Sequence, residues 1–264
     1  GGNILVALIL IALASLVLGM GLPVTAAYIV LATLSAPALS GMISDQFVIE
    51  QLAMGTLPDA AKAVLMFGVP EQAALLAGEV THAQATALIR SLPLEIAAPL
   101  RDLVVPASVA MSALLSAHMI IFWLSQDSNV TPPVALAAFT AAAIAKAPAM
   151  ATGVASWKLA KGLYIVPILF AYTPFLSGNW PEMIQVFCFA VVGVYAIAAA
   201  LQGCMEKPLG FAMRGLVLVA GFAALWPAML LLNILGVAAT IALLVWNIKF
   251  GITPEPSPSI ADVA

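Results

Sequence analysis

The sequence predicts an all-α polytopic membrane protein. Hydrophobic side chains make up 64% of its 264 residues and charged ones only 8%, against about 25% charged in soluble domains. Its apolar stretches approach the roughly 20 residues a helix needs to cross a bilayer. They also run continuously, without the period-two alternation over about ten residues that barrel strands require. The chain opens Gly1-Gly2-Asn3, with no initiator Met and no basic region before the apolar run, so no signal peptide is read. It is expected to be a piece of a longer protein, beginning inside a membrane domain.

The first element is apolar over residues 3–18 and again over 25–39, two arms of about 24 Å each at helical rise. Neither alone crosses a hydrocarbon core of about 30 Å. Between them stand Gly19, Met20, Gly21, Leu22 and Pro23. Interior glycine costs a helix about 1 kcal/mol and interior proline about 3, so two short helices meeting at a break are expected. The arms are the halves of one interrupted span or a re-entrant hairpin with residues 19–24 as its tip, and composition does not choose. Broken backbone in hydrocarbon is tolerated where it is buried in protein or lines a watery cavity, as at the ion and substrate sites of secondary transporters. A proline kink with no ligand is the plainer reading. Pro37, Ser40 and Gly41 are expected to end the second arm.

Residues 42–105 change character. Asp45, Glu50, Asp59, Glu71, Glu79, Glu95 and Asp102 face only Lys62, Arg90 and Arg101, a net charge of −4. Pro58, Pro70, Pro93 and Pro99 divide the segment, and runs such as 71–77 and 81–92 suggest short amphipathic helices. It reads as a helical cap outside the hydrocarbon. His82, beside Thr81 and far from any Cys or second His, is expected to be an exposed helix-start residue rather than a metal ligand.

Residues 107–124 are apolar and then give way to Ser125, Gln126, Asp127, Ser128, Asn129, Val130, Thr131, Pro132 and Pro133, before an apolar run over 134–145. Polar residues inside membrane sequence are costly and mark functional sites by default. Tandem proline removes two backbone donors, while hydroxyl, amide and carboxylate oxygens are hard ligands for a small cation. A short surface loop between two spans is the alternative. Lys146, Lys158 and Lys161 follow with no acid among them and with Trp157 suited to an interface, so residues 146–161 read as a cytoplasmic loop. Residues 159–176 then span outward, 177–182 turn outside, and 183–203 return to Lys207 and Arg214. Residues 211–248 are too long for one span and are cut near Pro227. The tail from residue 253 is Pro/Ser-rich and expected to be disordered. Cys188 and Cys204 lie sixteen positions apart, about 24 Å on a helix, too far to bridge. Both are expected to be buried small hydrophobes.

No nucleophile, base and orienting partner share a spacing that suggests an enzyme, so an intramembrane hydrolase is disfavoured. A membrane scaffold or assembly subunit fits the hydropathy but gives no reason for two polar breaks. Transport gives one.

The run Leu18-Gly19-Met20-Gly21-Leu22-Pro23-Val24-Thr25-Ala26-Ala27-Tyr28-Ile29-Val30, the run Ser128-Asn129-Val130-Thr131-Pro132-Pro133-Val134-Ala135-Leu136-Ala137-Ala138-Phe139, and residues 198–203 followed by Pro208-Leu209 resemble the large permease portion (DctM-like) of tripartite ATP-independent periplasmic transporters. The chain is most similar to the fused-permease type that works with TAXI-type binding proteins, over the second of that family's two inverted repeats. His118 precedes Thr131 at the spacing the resemblance leads one to expect. The resemblance implies one repeat of an inverted-repeat, elevator-type symporter, with a re-entrant helical hairpin over 1–41 and a periplasmic helical insertion over 42–105. A discontinuous transmembrane helix would occupy 106–146, further transmembrane helices 147–250 and a disordered tail 251–264. It further implies sodium-coupled import of an organic acid delivered by a periplasmic TAXI-type binding protein, in a bacterial inner membrane. The partners would be lipid, that binding protein, and the transporter's own N-terminal repeat and small membrane portion. No nucleic-acid partner and no cofactor beyond Na+ as coupling ion are expected. The substrate and ion site then falls on Gly19, Met20, Gly21, Leu22, Pro23, Thr25, Ser125, Asp127, Ser128, Asn129, Thr131, Pro132 and Pro133. Gly19, Gly21, Thr25, Ser128, Asn129 and Thr131 are the Na+ candidates. Two features depart from the family pattern: the insertion of about sixty residues before His118, and Ser125-Gln126-Asp127 where apolar residues are commoner.

Overall fold

A computed structural model describes residues 3–72, 78–227 and 229–251. The described residues fold as helices with no strand; one isolated bridge joins Cys204 and Pro208. Helix α1 (Ile4–Gly19) starts on Asn3, whose side chain accepts from the Leu5 amide at 2.9 Å. A tight turn through Met20, Gly21 and Leu22 leads to α2 (Val24–Ala53), for which Pro23 is the N-cap.

Helix α2 corrects the expectation that the second arm stops at Pro37–Gly41. It runs 30 residues with Pro37 inside, about 45 Å and so longer than the hydrocarbon core. Pro37 removes one backbone donor, yet packing on both sides of it holds the helix together. Leu31, Ala32, Ala36 and Leu39 lie in one apolar cluster, and Val48, Ile49 and Leu52 lie in another. Local breaker chemistry loses to burial on either side. Asp45, near the C-terminal end of α2, is buried and accepts a fork from Arg101 at 2.7 Å (Nε to Oδ1) and 2.8 Å (Nη2 to Oδ2).

The C-terminal end of α2 carries a helical cap made of α3 (Asp59–Gly68), α4 (His82–Ser91) and α5 (Leu94–Val104). Leu57, Leu65, Leu88, Ile89 and Leu100 form its interior with the end of α2. Thr81 caps α4 in a reciprocal capping box with Gln84, and His82 is exposed at the helix start, as expected from the sequence. The expected helix over 71–77 lies mostly outside the described residues; Pro70–Gln72 is a short 3-10 turn.

Helix α6 (Ala107–Leu124) returns antiparallel along α2 and ends at Ser125. Then come α7 (Asp127–Val130), α8 (Leu136–Ala145), α9 (Ala149–Leu159) and α10 (Gly162–Tyr172). The expected loop over 146–161 is replaced by helix α9, and α9 with α10 forms one apolar stretch of 24 residues, Ala149–Tyr172, long enough to cross a membrane. Lys158 lies in the last turn of α9, and Lys161 is the N-cap residue of α10 at the interruption between the two helices. Ile11, Leu31, Leu39, Ile120, Ile121 and Phe170 form the core shared by α1, α2, α6 and α10.

Helices α11 (Trp180–Gln202), α12 (Phe211–Ala224) and α13 (Leu230–Phe250) make a further group, interrupted around Pro227 as the sequence suggests. Arg214 donates to the carbonyls of Ala200 (2.8 Å) and Leu201 (2.9 Å), closing the C-terminus of α11. Asn233 donates to the carbonyls of Ala224 (3.0 Å) and Trp226 (2.8 Å), closing that of α12. Gly236 lies against the backbone of Ala223 and Ala224, where a Cβ has no room. Cys188 on α11 and Cys204 in the turn after it are free but exposed, which corrects the expectation that they are buried; a thiol is small and weakly polar, so exposure of either costs little. The expected disordered tail from residue 253 lies outside the described residues. Among the described residues, five helical stretches are long and apolar enough to cross a membrane. Their exposed Leu, Ile, Val and Phe side chains form the kind of surface that lipid covers.

Candidate functional site

The two interrupted elements meet. Gly19, the last residue of α1, is buried against the side chain of Ser128 in α7, so closely that a Cβ on Gly19 would overlap Ser128 Cβ and Oγ. One turn earlier, buried Ser15 donates from Oγ to the carbonyl of Leu124 at 2.8 Å, satisfying an acceptor freed by the end of α6. Ser125 is buried and its hydroxyl donates back to Ile121 at 2.7 Å, so its hydrogen is committed to its own helix.

On the α1–α2 side the turn is open. Among the described residues the carbonyls of Met20, Gly21 and Leu22 accept no backbone hydrogen bond. Met20, Gly21, Leu22, Pro23 and Thr25 are exposed, and a Cβ on Gly21 would meet open space. Gly19 thus serves helix approach, whereas Gly21 leaves an uncovered carbonyl turn.

On the other side, Asp127 and Ser128 are buried while Asn129 and Thr131 are half-buried. The Thr131 hydroxyl pairs with the Tyr164 hydroxyl at 2.6 Å. Asp127 Oδ1 is buried with no hydrogen-bond partner. The Pro132–Pro133 turn leads into Ala135, which takes a left-handed conformation (φ 36°) before α8. Pro132 is half-buried and packs with Phe139 and Ala135 against Gly153 of α9; Pro133 is exposed.

The structure therefore brings Gly19, Asp127, Ser128 and Thr131 into one neighbourhood, with Ser125 packed behind it. Met20, Gly21, Leu22 and Thr25 stand at the exposed tip, and among the described residues their side chains make no hydrogen bond to the second break. Sequence reading missed Ser15, Trp157, Lys161 and Tyr164. Asp127, Thr131, Trp157, Lys161 and Tyr164 line an open groove of about 340 Å³ together with Ile9, Leu13 and Leu16 of α1. The available signal was that Trp157, Lys161 and Tyr164 recur at helical spacing of four and three, placing them on one face. His118 sits elsewhere on α6, its Nδ1 3.1 Å from the Tyr28 hydroxyl, and so couples α6 to α2.

What the neighbourhood can do follows from its donors. It offers free carbonyls, hydroxyls and one carboxylate, all hard oxygen ligands, and the Lys161 ammonium lines the same groove. Broken helices with such groups are how membrane proteins hold small ions and polar solutes at depth.

A family model described as tripartite ATP-independent periplasmic transporter, DctM component, matches residues 1–176. That span takes in both breaks, the cap and helices through α10. No curated protein and no solved structure matches the chain. Since the matched span covers two thirds of the 264 residues and contains both halves of the site, the chain belongs to the DctM component family of tripartite ATP-independent periplasmic transporters.

Proposed function

We propose that this chain is the permease part of a sodium-coupled secondary transporter that imports an organic acid handed over by a periplasmic TAXI-type binding protein. The coarser statement needs no proposal: the family is one of membrane transporters and not of enzymes. The observation that carries the finer one is the meeting of Gly19 with Ser128, which sets an open carbonyl turn near a buried carboxylate and a row of hydroxyls. In this reading residues 1–41 form a re-entrant hairpin and 106–146 a discontinuous transmembrane helix. Together they are the moving part of one repeat in an inverted-repeat elevator in a bacterial inner membrane, paired with an N-terminal repeat and a small membrane portion. Residues 147–250 supply further membrane helices, and 42–105 form a periplasmic cap. Sodium is held by carbonyls around Gly19 and Gly21 and by oxygens drawn from Thr25, Ser128, Asn129 and Thr131. Met20, Leu22, Pro23, Pro132 and Pro133 shape the two turns, with Ser125 and Asp127 beneath them. The proposal is supported by the hard-oxygen character of these groups and by the cost of leaving such backbone against lipid.

The test uses the complete transporter in liposomes. Asn129→Ala and Thr131→Val should each raise the sodium concentration needed for half-maximal uptake several-fold. Unchanged sodium dependence in both variants contradicts the assignment.

A further inference from the structure

The cap reaches down beside the membrane helices. Leu31, Ala32, Ala36 and Leu39 of α2 are buried in the cluster shared with α1 and α6. On the same turns Leu34, Pro37 and Ala38 face outward, Leu34 with 76% of its surface exposed. Yet Leu92 and Leu94, from the corner between α4 and α5, line one groove of about 440 Å³ with Leu34, Pro37, Ala38 and Met42. Asp45 and Arg101 stand at the cap end of this groove, eleven residues along α2 from Leu34, or about 16 Å of helix. The corner therefore lies level with turns of α2 that belong to the membrane bundle, and Leu94 is itself 69% exposed. The end of α3 arrives at the same rim. Gly68 packs so closely on Ile96 that a Cβ would overlap its side chain, and Phe67 beside it is 89% exposed. The opposite ends of these helices are polar: Asp59 at the start of α3 and His82 and Gln84 at the start of α4 are all exposed.

We infer that this rim of the cap is embedded in the bilayer and that the groove between it and α2 holds a phospholipid acyl chain. Continuity selects lipid as the occupant. The groove is bordered by the outward face of a membrane-spanning helix, which hydrocarbon already covers, and its walls are mostly aliphatic. The charges that line it, Asp45 and Arg101, hold each other in a fork and leave none over for an ionic ligand. A soluble partner would have to displace lipid to reach Leu34, whereas a chain reaches it from the surrounding leaflet. Arg90 and Glu95 flank the corner and are exposed, the place of charges that stay at headgroup level while an apolar wedge enters below them. The inference goes beyond the transport reading and does not depend on it. It makes the cap a lipid-contacting element at its lower rim, with only its polar ends standing clear in water.

The experiment uses the purified full-length permease in phosphatidylethanolamine and phosphatidylglycerol liposomes, with Cys188→Ser and Cys204→Ser as background. Nitroxide labels on Leu34→Cys, Leu94→Cys, Asp59→Cys and His82→Cys are read for collision with oxygen, which concentrates in hydrocarbon, and with a water-soluble nickel chelate. The ratio of oxygen to nickel collisions at Leu34→Cys and Leu94→Cys should exceed that at Asp59→Cys and His82→Cys at least fivefold. A phosphatidylcholine carrying a diazirine in its chain should photolabel residues 89–97 as well as 34–42. Ala38→Trp, which fills the groove, should cut labelling of 89–97 at least threefold while α13 is labelled as before, which shows that the variant is folded in the membrane. Leu94→Cys as open to nickel as Asp59→Cys would place the rim in water, and shielding of Leu94→Cys from both reagents would place it under a second copy or another protein. Labelling of 89–97 that is absent, or that Ala38→Trp leaves unchanged, would mean that no chain occupies the groove. Each of these results overturns the inference.

Discussion

Gly19 and Ser128 show how one missing Cβ sets the geometry of the site. Alanine at Gly19 would collide with Ser128 Cβ and Oγ, and overpacking of this kind costs about 1–3 kcal/mol. Gly19→Ala should lower the melting temperature of the detergent-solubilised protein and reduce uptake. Ser128→Gly removes the colliding atoms, so the double variant should recover part of the stability. A double variant no better than Gly19→Ala would show that the close approach does not matter. The importance of Gly19 was legible in the sequence as a glycine–proline break inside apolar residues. The difference between Gly19 and Gly21 was not, because it depends on a contact with a residue 109 positions away. That Lys161 lines one groove with Asp127 was not legible for the same reason, since the two are 34 positions apart.

Helix α2 is the element on which membrane part and cap are joined. Its N-terminal part, through Ile43, packs in the cluster shared with α1 and α6 and its C-terminal part in the cap core, so Pro37, inside the first cluster, acts as a tolerated irregularity and not a boundary. The fork between Arg101 and Asp45 ties α5 to this helix, with side-chain exposures of 21% and 10%. Removing one partner of a buried pair costs about 3–5 kcal/mol, and the partial exposure brings the expectation down to about 2–3. Arg101→Leu should therefore make the cap more susceptible to limited proteolysis, and Asp45→Leu combined with Arg101→Leu should be less damaging than the single change. Equal protection of wild type and Arg101→Leu would mean that the fork does not hold the cap. Proline and glycine at 37–41 suggest a helix end that α2 does not have, and no local pattern reports a carboxylate and a guanidinium 56 positions apart.

At the scale of the whole molecule, the all-helical membrane class was written in composition; the contacts that join α3, α4 and α5 to the end of α2 were not. The cap's side of the membrane follows from the transport reading. With Cys188 and Cys204 replaced by Ser, single cysteines at Asp59 and Lys146, both exposed, should differ toward a membrane-impermeant thiol reagent on intact spheroplasts. Asp59→Cys should react and Lys146→Cys should be protected; the reverse pattern overturns the topology. A net charge of −4 over residues 42–105 would act on a basic partner mainly through association rate, so the cap's contribution to uptake should fade at high salt.

The central claim is that the two meeting breaks form the coupling site of a sodium-driven permease. The most direct measurement is uptake of labelled carboxylates and amino acids by liposomes holding the complete transporter, with its binding protein outside. Each solute is followed with an inward sodium gradient and again with choline replacing sodium. The account predicts accumulation of at least one solute above its external concentration with the gradient and none with choline. Equal uptake in the two conditions, or no accumulation of any solute under the gradient, would contradict it.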